Sequence, residues 1–375
     1  MNEWKKYKLG DLVTFQRGYD LPKTQFINGK YPIAGSNGII GYHDKFTTKA
    51  PSLTIGRSGN IGTPHFYKEN FWAHNTVLFA KEFNCDPKFI YYLLQTLDFR
   101  QLNSGSAVPS LNRNYIHPIE ILCPALPTQT RIAQILTSLD DKIELLQQMN
   151  QTLETMAQAI FKEWFVDFKF PGFDGEMVDG VPKGWRKGKL GEVVEVKGGT
   201  TPSTAINEYW NGEYNWTTPK DLSNLQSPVL IDTERKITKL GVDQIGSGIL
   251  PKGTLLLSSR APIGYLAISQ IPVSINQGYI AIQGKLLSNL FMLFWLKENM
   301  DVVKNRANGS TFQEISKSNF REIEIVIPSE NILSIFYILA NPLFDKIVKN
   351  IHQIQTLTHL RDTLLPRLMS GAVKI

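Results

Sequence analysis

The chain of 375 residues contains an internal repeat of about half its length. Residues 4–13, Trp-Lys-Lys-Tyr-Lys-Leu-Gly-Asp-Leu-Val, are echoed 181 positions later by Trp-Arg-Lys-Gly-Lys-Leu-Gly-Glu-Val-Val. Farther along, the triplets Ile-Glu-Ile at 119–121 and Asp-Lys-Ile at 141–143 recur 204 positions later. Most extra residues of the second copy fall between 199 and 252. Two copies of one frame that differ in one loop-rich stretch predict one scaffold with two different recognition surfaces.

Each copy begins with a mixed part, in which short apolar runs alternate with Gly, Pro, Asn and Ser turns. Strands are predicted at residues 52–55, 76–79, 119–122, 254–257, 278–282 and 323–327. Helices are predicted at residues 88–96 and 289–299, where apolar residues recur at steps of three and four.

Each copy ends with a long helix that carries a coiled-coil pattern. In the first copy two seams alternate, formed by Ile132, Leu139, Leu146, Leu153 and Ile160 and by Ile135, Ile143, Met149, Met156 and Trp164. In the second copy the apolar stripe consists of Ile347, Ile351, Ile354, Leu357, Leu364 and Leu368. Ser138 with Asp141 predicts a new cap within the first helix, and Asn341-Pro342 predicts the start of the second. Antiparallel pairing of the two helices buries both stripes; packing of each helix on its own domain is the alternative.

These patterns predict an α+β fold, with two mixed α/β domains separated by an antiparallel coiled coil of two long helices and related by a pseudo-twofold internal repeat. The predicted segments are a first domain at 1–127, a central helical spacer at 128–168, a Gly/Pro/Asp-rich linker at 169–184, a second domain at 185–328 and a distal helical spacer at 329–375.

Composition favours an anionic partner without identifying it, because the formal net charge is +6. Cys85, Cys123 and the histidines show no metal-ligand spacing, so we expect a reduced, cytoplasmic protein without a metal site. We also expect no secretion signal and no apolar run of membrane-spanning length.

Known catalytic motifs are missing from the sequence. No Gly-rich phosphate-binding motif and no nuclease-like acidic cluster is present. Asn341-Pro342-Leu343-Phe344 lacks the second proline of the amino-methyltransferase motif Asn-Pro-Pro-Phe. We therefore predict no catalytic residues in this chain.

Several segments together resemble the specificity subunits of Type I restriction–modification systems. Residues 127–136 resemble the start of that family's central spacer, and residues 153–168 resemble its end. Residues 215–222, Asn-Trp-Thr-Thr-Pro-Lys-Asp-Leu, are similar to a segment of its recognition domains, and residues 360–371 resemble its C terminus. Residues 329–333 depart from the pattern, because they lack the Gln-x-x-Arg-Ile-Ala of the first copy.

The resemblance implies a DNA-binding subunit that is not itself an enzyme. Each mixed domain would be a target-recognition domain that reads one half of a bipartite target, with a fixed unread spacer between the halves. The implied partners are double-stranded DNA, two methyltransferase (modification) subunits and restriction/translocase subunits, with no membrane. The chain itself would bind no cofactor. S-adenosylmethionine, ATP and Mg would belong to the partner subunits, which would methylate adenine N6 and cleave DNA with ATP.

Polar and basic loop residues of both copies are candidate DNA contacts. The most suggestive loop is residues 56–62, because its glycines allow close approach while Arg57 suits guanine and Asn60 suits adenine. Its counterpart is residues 258–264, and an ordinary turn with a solvated arginine is the alternative for both. The predicted DNA-binding residues are Ser36, Asn37, Arg57, Asn60, Asn75, Ser106, Thr217, Thr218, Lys220, Ser259, Arg260, Asn276, Gln277 and Ser310. For Ser106 and Ser310, helix capping is the alternative.

The helical spacers are predicted to form the coiled coil and to offer docking surfaces to the methyltransferase subunits. The residues predicted for this role are Ile132, Leu139, Ile143, Leu146, Leu153, Ile160, Trp164, Ile347, Ile351, Ile354 and Leu364.

Three other interpretations stay open. An enzyme hidden in either mixed domain would methylate or cleave DNA without partners. A coiled-coil adaptor that binds no DNA would leave the repeated arginine loops unexplained. A DNA-binding regulator without partners would leave the spacer motifs unexplained.

Overall fold

The computed structural model describes residues 4–99, 110–309, 313–373 and 375. The predicted contacts Ser106 and Ser310 lie outside these residues. The chain divides into two compact units, which we call unit 1 (residues 1–144 and 355–375) and unit 2 (residues 145–354).

Unit 1 is built from three small sheets and short helices. Its strands are β1 (Lys5–Lys8), β2 (Val13–Arg17), β3 (Tyr31–Gly35), β4 (Gly38–His43), β5 (Ser52–Gly56), β6 (Pro64–Tyr67), β7 (Trp72–Ala73), β8 (Val77–Phe83) and β9 (Glu120–Cys123). Its short helices are α1 (Leu9–Leu12), α2 (Pro87–Gln95) and α3 (Arg113–Ile116), with a 3-10 turn at Lys23–Gln25. The sheet orders are β2-β8-β5-β6, β4-β3-β7 and β1-β9.

Helix α2 illustrates how local sequence produces this arrangement. Asp86 caps the helix, because its Oδ1 accepts hydrogen bonds from the backbone N–H groups of Lys88 and Phe89, both at 2.9 Å. Pro87 occupies the first turn, where the missing N–H costs nothing. Phe89 and Leu93 are buried on the inner face of the helix, in the core cluster that includes strand β5.

Unit 2 begins with the end of the central spacer and repeats the plan of unit 1. Its strands are β10 (Met177–Val178), β11 (Val181–Pro182), β12 (Arg186–Lys189), β13 (Val194–Lys197), β14 (Trp210–Thr217), β15 (Val229–Leu230), β16 (Arg235–Ile237), β17 (Leu255–Ser258), β18 (Leu266–Ser269), β19 (Ser274–Ile275), β20 (Tyr279–Gly284) and β21 (Glu324–Ile327). Its short helices are α5 (Leu190–Val193), α6 (Pro219–Ser223), α7 (Lys239–Val242), α8 (Asn289–Glu298), α9 (Met300–Asn305) and α10 (Lys317–Arg321), with a 3-10 turn at Asn207–Tyr209.

Three of the four sheets of unit 2 correspond to the three sheets of unit 1. Their orders are β13-β20-β17-β18-β15, β16-β14-β19 and β12-β21. Strand β15 and the separate pair β10-β11 have no counterpart among the described strands of unit 1. The tight turn between β3 and β4 in unit 1 becomes a long connection between β14 and β16, which contains α6 and β15. The internal repeat and the mixed α+β fold are therefore confirmed, and the extra residues of the second copy lie where the sequence placed them.

Two 40-residue helices, α4 (Leu126–Phe165) and α11 (Glu330–Met369), contribute to both units. In unit 1, the Arg361 Nη1 donates to the Asp140 Oδ1 at 2.8 Å. In unit 2, the Asn350 Nδ2 donates to the Asn150 Oδ1 at 2.8 Å, and Phe336 lies against Trp164 with ring centroids 6.4 Å apart. As residue numbers increase along α4, the numbers of their partners on α11 decrease. The predicted antiparallel pairing of the two helices is therefore confirmed.

In one of the two predicted seams of α4, three of the five members are not buried, because Ile135 and Met149 are half-buried and Met156 is exposed. Met156 is 48% exposed, while Leu136, Asn150 and Ala157 are buried. The buried positions follow alternating steps of four and three from Ile132, as coiled-coil packing requires. Met149 and Met156 are more apolar than Asn150 and Ala157, but position in the heptad decides which side chain faces inward.

Both predicted caps are also wrong, because α4 and α11 run without interruption. The Ser138 hydroxyl donates to the carbonyl of Ile135 within α4 at 2.7 Å, so it caps nothing. Pro342 lies in the interior of α11 and has no N–H to donate to the carbonyl of Ile338. Pro342 and Ile338 are both exposed, so water has access to this side of the helix. Burial of other α11 residues offsets the cost of the proline.

Helix α11 also has the length and composition of a membrane-spanning helix, contrary to the expectation from sequence. Its most apolar 18-residue window has a mean hydropathy of 1.3 and is 33% buried inside the protein. Phe336, Ala340 and Ile347 are buried in unit 2, at 0%, 0% and 2% exposure. Packing in the core of unit 2 therefore accounts for part of the apolar composition, while Ile338 and Leu339 of the same helix are exposed.

The core of unit 2 contains a cluster of aromatic side chains from three helices. Phe161 and Phe165 of α4, Phe291 of α8 and Phe336 of α11 pack mostly edge to face, with ring centroids 4.9–6.2 Å apart. Edge-to-face contacts are the arrangement that aromatic quadrupoles favour. This aromatic cluster fixes α4 and α11 against the globular part of unit 2.

Candidate nucleic-acid interface

In unit 1 the predicted polar residues meet at one end of the sheet β4-β3-β7. Strands β3 and β7 are parallel, with Ala34 paired to Ala73, so their carboxyl ends lie side by side. Ser36 and Asn37 follow β3, and Asn75 follows β7. Asn37 is exposed, and Ser36 and Asn75 are half-buried. The topology thus brings together residues about 40 positions apart in sequence.

The loop at residues 56–62 lies beside this end of the sheet and is hydrogen-bonded to the residues that follow β7. The Arg57 N–H donates to the carbonyl of Thr76 at 2.8 Å, and the Arg57 Nη1 donates to the carbonyl of Asn75 at 3.4 Å. The loop folds back tightly, since a Cβ on Gly56 would lie 1.7 Å from the carbonyl oxygen of Asn60. A Cβ on Gly59 would lie 3.4 Å from the Ser36 Oγ. One cluster, which we call the unit 1 loop cluster, is therefore formed by Ser36, Asn37, Arg57, Asn60 and Asn75.

The charges around this cluster leave Arg57 without an acidic partner among the described residues. The nearby carboxylate of Asp20 accepts hydrogen bonds from the side chains of Asn75 and Arg17. The bond from Asn75 is the main reason that the pKa of Asp20 is lowered.

His65 lies beside the turn at Gly38 and is a residue that the sequence analysis missed. Burial lowers the pKa of its imidazole.

Unit 2 has the corresponding arrangement at the end of β16-β14-β19. Strands β14 and β19 are parallel, with Thr217 paired to Ile275, so Thr218 and Lys220 lie near Asn276 and Gln277. The hydrogen bond from Ser259 N–H to the carbonyl of Gly278, at 2.8 Å, repeats the bond from Arg57 to Thr76 displaced by 202 positions. We call this group the unit 2 loop cluster; it consists of Thr218, Lys220, Ser259, Arg260, Asn276 and Gln277.

The two clusters carry their arginines at different positions. The repeated hydrogen bond makes Ser259 the equivalent of Arg57, and makes Arg260 the equivalent of Ser58. The Arg260 Nη1 lies 3.6 Å from the Glu314 Oε2, so this arginine has an acidic partner that Arg57 lacks. The same backbone therefore presents different side chains and charges in the two units.

Two predicted contacts of unit 2 are buried and serve the loops rather than the surface. Thr217 is 0% exposed, and its hydroxyl lies 3.1 Å from the Tyr279 hydroxyl. Ser259 is 2% exposed and is held by backbone hydrogen bonds. Neither side chain reaches the surface in this arrangement, so we correct their assignment to the positioning of neighbouring loops.

The remaining predicted residues of unit 2 are engaged in local contacts. Thr218 caps α6 together with Asp221, whose Oδ2 accepts from the Thr218 N–H at 2.7 Å. Lys220 Nζ lies 2.8 Å from the Glu234 Oε2 on the surface. The Asn276 Oδ1 accepts from the Gly278 N–H at 2.9 Å, and the Gln277 Oε1 accepts from the Thr201 hydroxyl at 2.6 Å. These contacts orient the loops, and exposed pairs of this kind are weak enough to be exchanged for a ligand.

Arg235 is a further exposed cation of this sheet that the sequence analysis missed. Its Cζ lies 3.6 Å from the ring centroid of Trp210. Arg235 pairs with Trp216 across the two strands, although nineteen positions separate these residues in sequence. No spacing in the sequence indicates that Arg235 contacts these indoles.

The predicted coiled-coil residues lie between α4 and α11. Ile132, Ile143, Leu146, Trp164 and Ile347 are buried. The other predicted members are half-buried: Leu139, Leu153, Ile160, Ile351, Ile354 and Leu364. A partner subunit would therefore meet other faces of these helices.

Within the described part of the chain, no three His, Cys, Asp or Glu side chains group as a metal site would require.

Comparison with known proteins identifies this architecture. Residues 1–155 and 182–356 match the family described as Type I restriction modification DNA specificity domain. The HindI specificity subunit of Haemophilus influenzae is 27% identical, with both chains covered over their full length. The MjaIX specificity subunit of Methanocaldococcus jannaschii is 42% identical over 45% of this chain and 40% of that relative.

A solved structure shows the same fold. The crystal structure of a Type I restriction–modification S subunit from M. genitalium matches with a TM-score of 0.69 at 20% identity, covering 98% of this chain and 96% of that one. Because the family match takes in both copies of the repeat, the chain belongs to the Type I restriction–modification specificity subunits and carries two of their DNA-recognition domains.

Proposed function

We propose that each unit reads one half of a bipartite DNA target, and that the chain directs partner methyltransferase and endonuclease subunits to it. The observation that carries this proposal is the pair of loop clusters, which occupy equivalent sheet ends but carry different polar side chains. One scaffold used twice with different side chains suits two different half-sites.

Within each cluster, lysine and arginine would bind phosphates while a smaller group of side chains reads base edges. Arg57 has no acidic partner among the described residues, so its guanidinium donors suit guanine O6 and N7, and the amide of Asn60 matches the donor and acceptor of adenine. The shift of the arginine by one position in unit 2 would give that unit a different preference.

The chemistry would belong to the partners. Two methyltransferase subunits would bind S-adenosylmethionine and methylate adenine N6, and restriction/translocase subunits would use ATP and Mg to cleave DNA in the cytoplasm. The paired helices α4 and α11 would set the number of unread base pairs between the half-sites, as dimer spacing does in helix-turn-helix proteins.

The direct test is to map methylated adenines across the genome of a host that carries the partner methyltransferase, with and without this chain. We expect a two-part motif with a fixed gap that appears only when the chain is present. An uninterrupted motif, or no new motif beside an active methyltransferase, would contradict the proposal and favour the adaptor. Methylation by the purified chain alone would favour the hidden enzyme.

Arg57→Ala should change recognition at one half-site only. Loss of a bidentate contact to guanine should reduce discrimination at one base pair by roughly 10- to 100-fold. The half-site read by unit 2 and the gap should stay unchanged in the methylation map. Lys23→Ala, which removes one exposed positive charge from unit 1, is the matched control. An equal loss at both half-sites would rule out this role for Arg57.

A further inference from the structure

Arg235 rests on a rigid aromatic platform. Its Cζ lies 3.6 Å from the centroid of Trp210 and 5.5 Å from that of Trp216. The two indoles pack edge to face, 5.0 Å apart, and are 7% and 2% exposed. Each ring N–H is also held, by the carbonyl of Ser203 at 3.1 Å or of Thr200 at 3.4 Å. The platform therefore holds the guanidinium in place through a cation–π contact.

The position of Arg235 places it at the unit 2 loop cluster. It is the first residue of β16 and pairs with Trp216, near the end of β14. Thr218 directly follows β14, and Asn276 follows the parallel strand β19. The start of β16 thus lies at the same end of the sheet as the polar loops.

Arg235 is also free of acidic partners within the described residues. Its guanidinium makes no ion pair or hydrogen bond there, although carboxylates flank it in sequence. Glu234 pairs with Lys220, and Asp232 lies 3.7 Å from the Lys236 Nζ. Arg260, in contrast, pairs with Glu314. Of these two arginines of unit 2, Arg235 is the one whose charge is uncompensated.

We propose that Arg235 is a specificity-determining residue that reads a guanine in the half-site of unit 2. A guanidinium stacked on an indole keeps its in-plane N–H groups available, and these match guanine O6 and N7 as a bidentate pair. This assignment rests on the proposed function of the chain. It places the guanine-reading arginine of unit 2 at the start of β16, directly after the long connection from β14, whereas in unit 1 Arg57 lies on the loop after β5.

The test is a methylation map from a host that carries the partner methyltransferase and the full chain as wild type, Arg235→Ala or Arg235→Lys. We expect Arg235→Ala to lose discrimination at one guanine by roughly 10- to 100-fold, with the other half-site and the gap unchanged. Arg235→Lys keeps a cation over the indole and so preserves folding, but it lacks the planar fork and should relax the same position. Lys236→Ala removes a neighbouring surface charge and should leave the motif intact.

The outcomes separate this proposal from the proposed function. An unchanged motif with Arg235→Ala and Arg235→Lys would overturn it, as would a uniform loss of methylation at every site, which indicates a phosphate contact. Failure of the wild-type chain to produce any motif would refute the proposed function instead. Thermal unfolding of each purified variant, with a midpoint like that of wild type, excludes a folding defect.

Discussion

Replacement of Phe336 by alanine should lower the free energy of unfolding of unit 2 by about 3–5 kcal/mol. Phe336 is 0% exposed, and its ring lies 5.1 Å from that of Phe165 and 5.9 Å from that of Phe161. Alanine would leave a cavity that these rings cannot fill, because they belong to a 40-residue helix with its own packing. The loss combines the transfer energy of the ring with the cost of the cavity.

The measurement is urea denaturation of the full chain, with hydrogen exchange to assign the transition to unit 2. Ile338→Ala is the matched control on the same helix, because Ile338 is 72% exposed and its loss should cost less than about 0.5 kcal/mol. A cost below about 1 kcal/mol for Phe336→Ala would show that the aromatic cluster does not stabilise unit 2 as its geometry indicates.

The strands and short helices could be predicted from sequence because their signals are local. The strand predicted at 52–55 is β5, and the helix predicted at 289–299 is α8. The first has a run of β-formers bounded by turn residues, and the second begins at Ser288, whose hydroxyl accepts the N–H of Phe291. The repeat then predicted that both units share one plan.

Features that depend on tertiary packing could not be predicted in this way. Pro342 indicated a helix start by local rules, but burial of Phe336 and Ala340 before it and Ile347 after it carries α11 through the proline. Met149 suited the seam by composition, whereas heptad position places Asn150 there, at 2% exposure. Propensity is a weak guide where long-range packing selects the conformation.

The candidate interface shows the same division. Ser36, Arg57 and Asn75 stood out because each lies in a polar or Gly-rich turn. The parallel pairing of β3 with β7 brings the loops of Ser36 and Asn75 together, and hydrogen bonds to Thr76 and Asn75 hold Arg57 beside them. Thr217 stood out equally, but its burial depends on Tyr279, 62 positions away. Arg235 lacked any local signal, because its platform comes from another strand.

Replacement of Asn350 alone by leucine should destabilise unit 2 by about 1–3 kcal/mol, because the amide of Asn150 would stay buried without its partner. Replacement of both by leucine should restore wild-type stability or exceed it, since the Asn350 Oδ1 already lacks a hydrogen-bond partner among the described residues. A double-mutant cycle in urea measures the coupling, and additive losses would show that the two amides act independently.

The Asn150–Asn350 pair should also determine whether α4 pairs with α11 or with a second copy of itself. The repeat offset of 204 makes Leu146 the equivalent of Asn350, and Ile354 the equivalent of Asn150. Two copies of α4 in the same antiparallel register would therefore set Asn150 against Leu146, and two copies of α11 would set Asn350 against Ile354. A buried asparagine opposite an aliphatic side chain has no partner, so the asparagines favour pairing of α4 with α11. The double leucine variant loses this preference and should self-associate more than wild type while unfolding at equal or higher urea. Light scattering on the full chain measures this, and a mass equal to that of wild type at every concentration would refute the selective role of the pair.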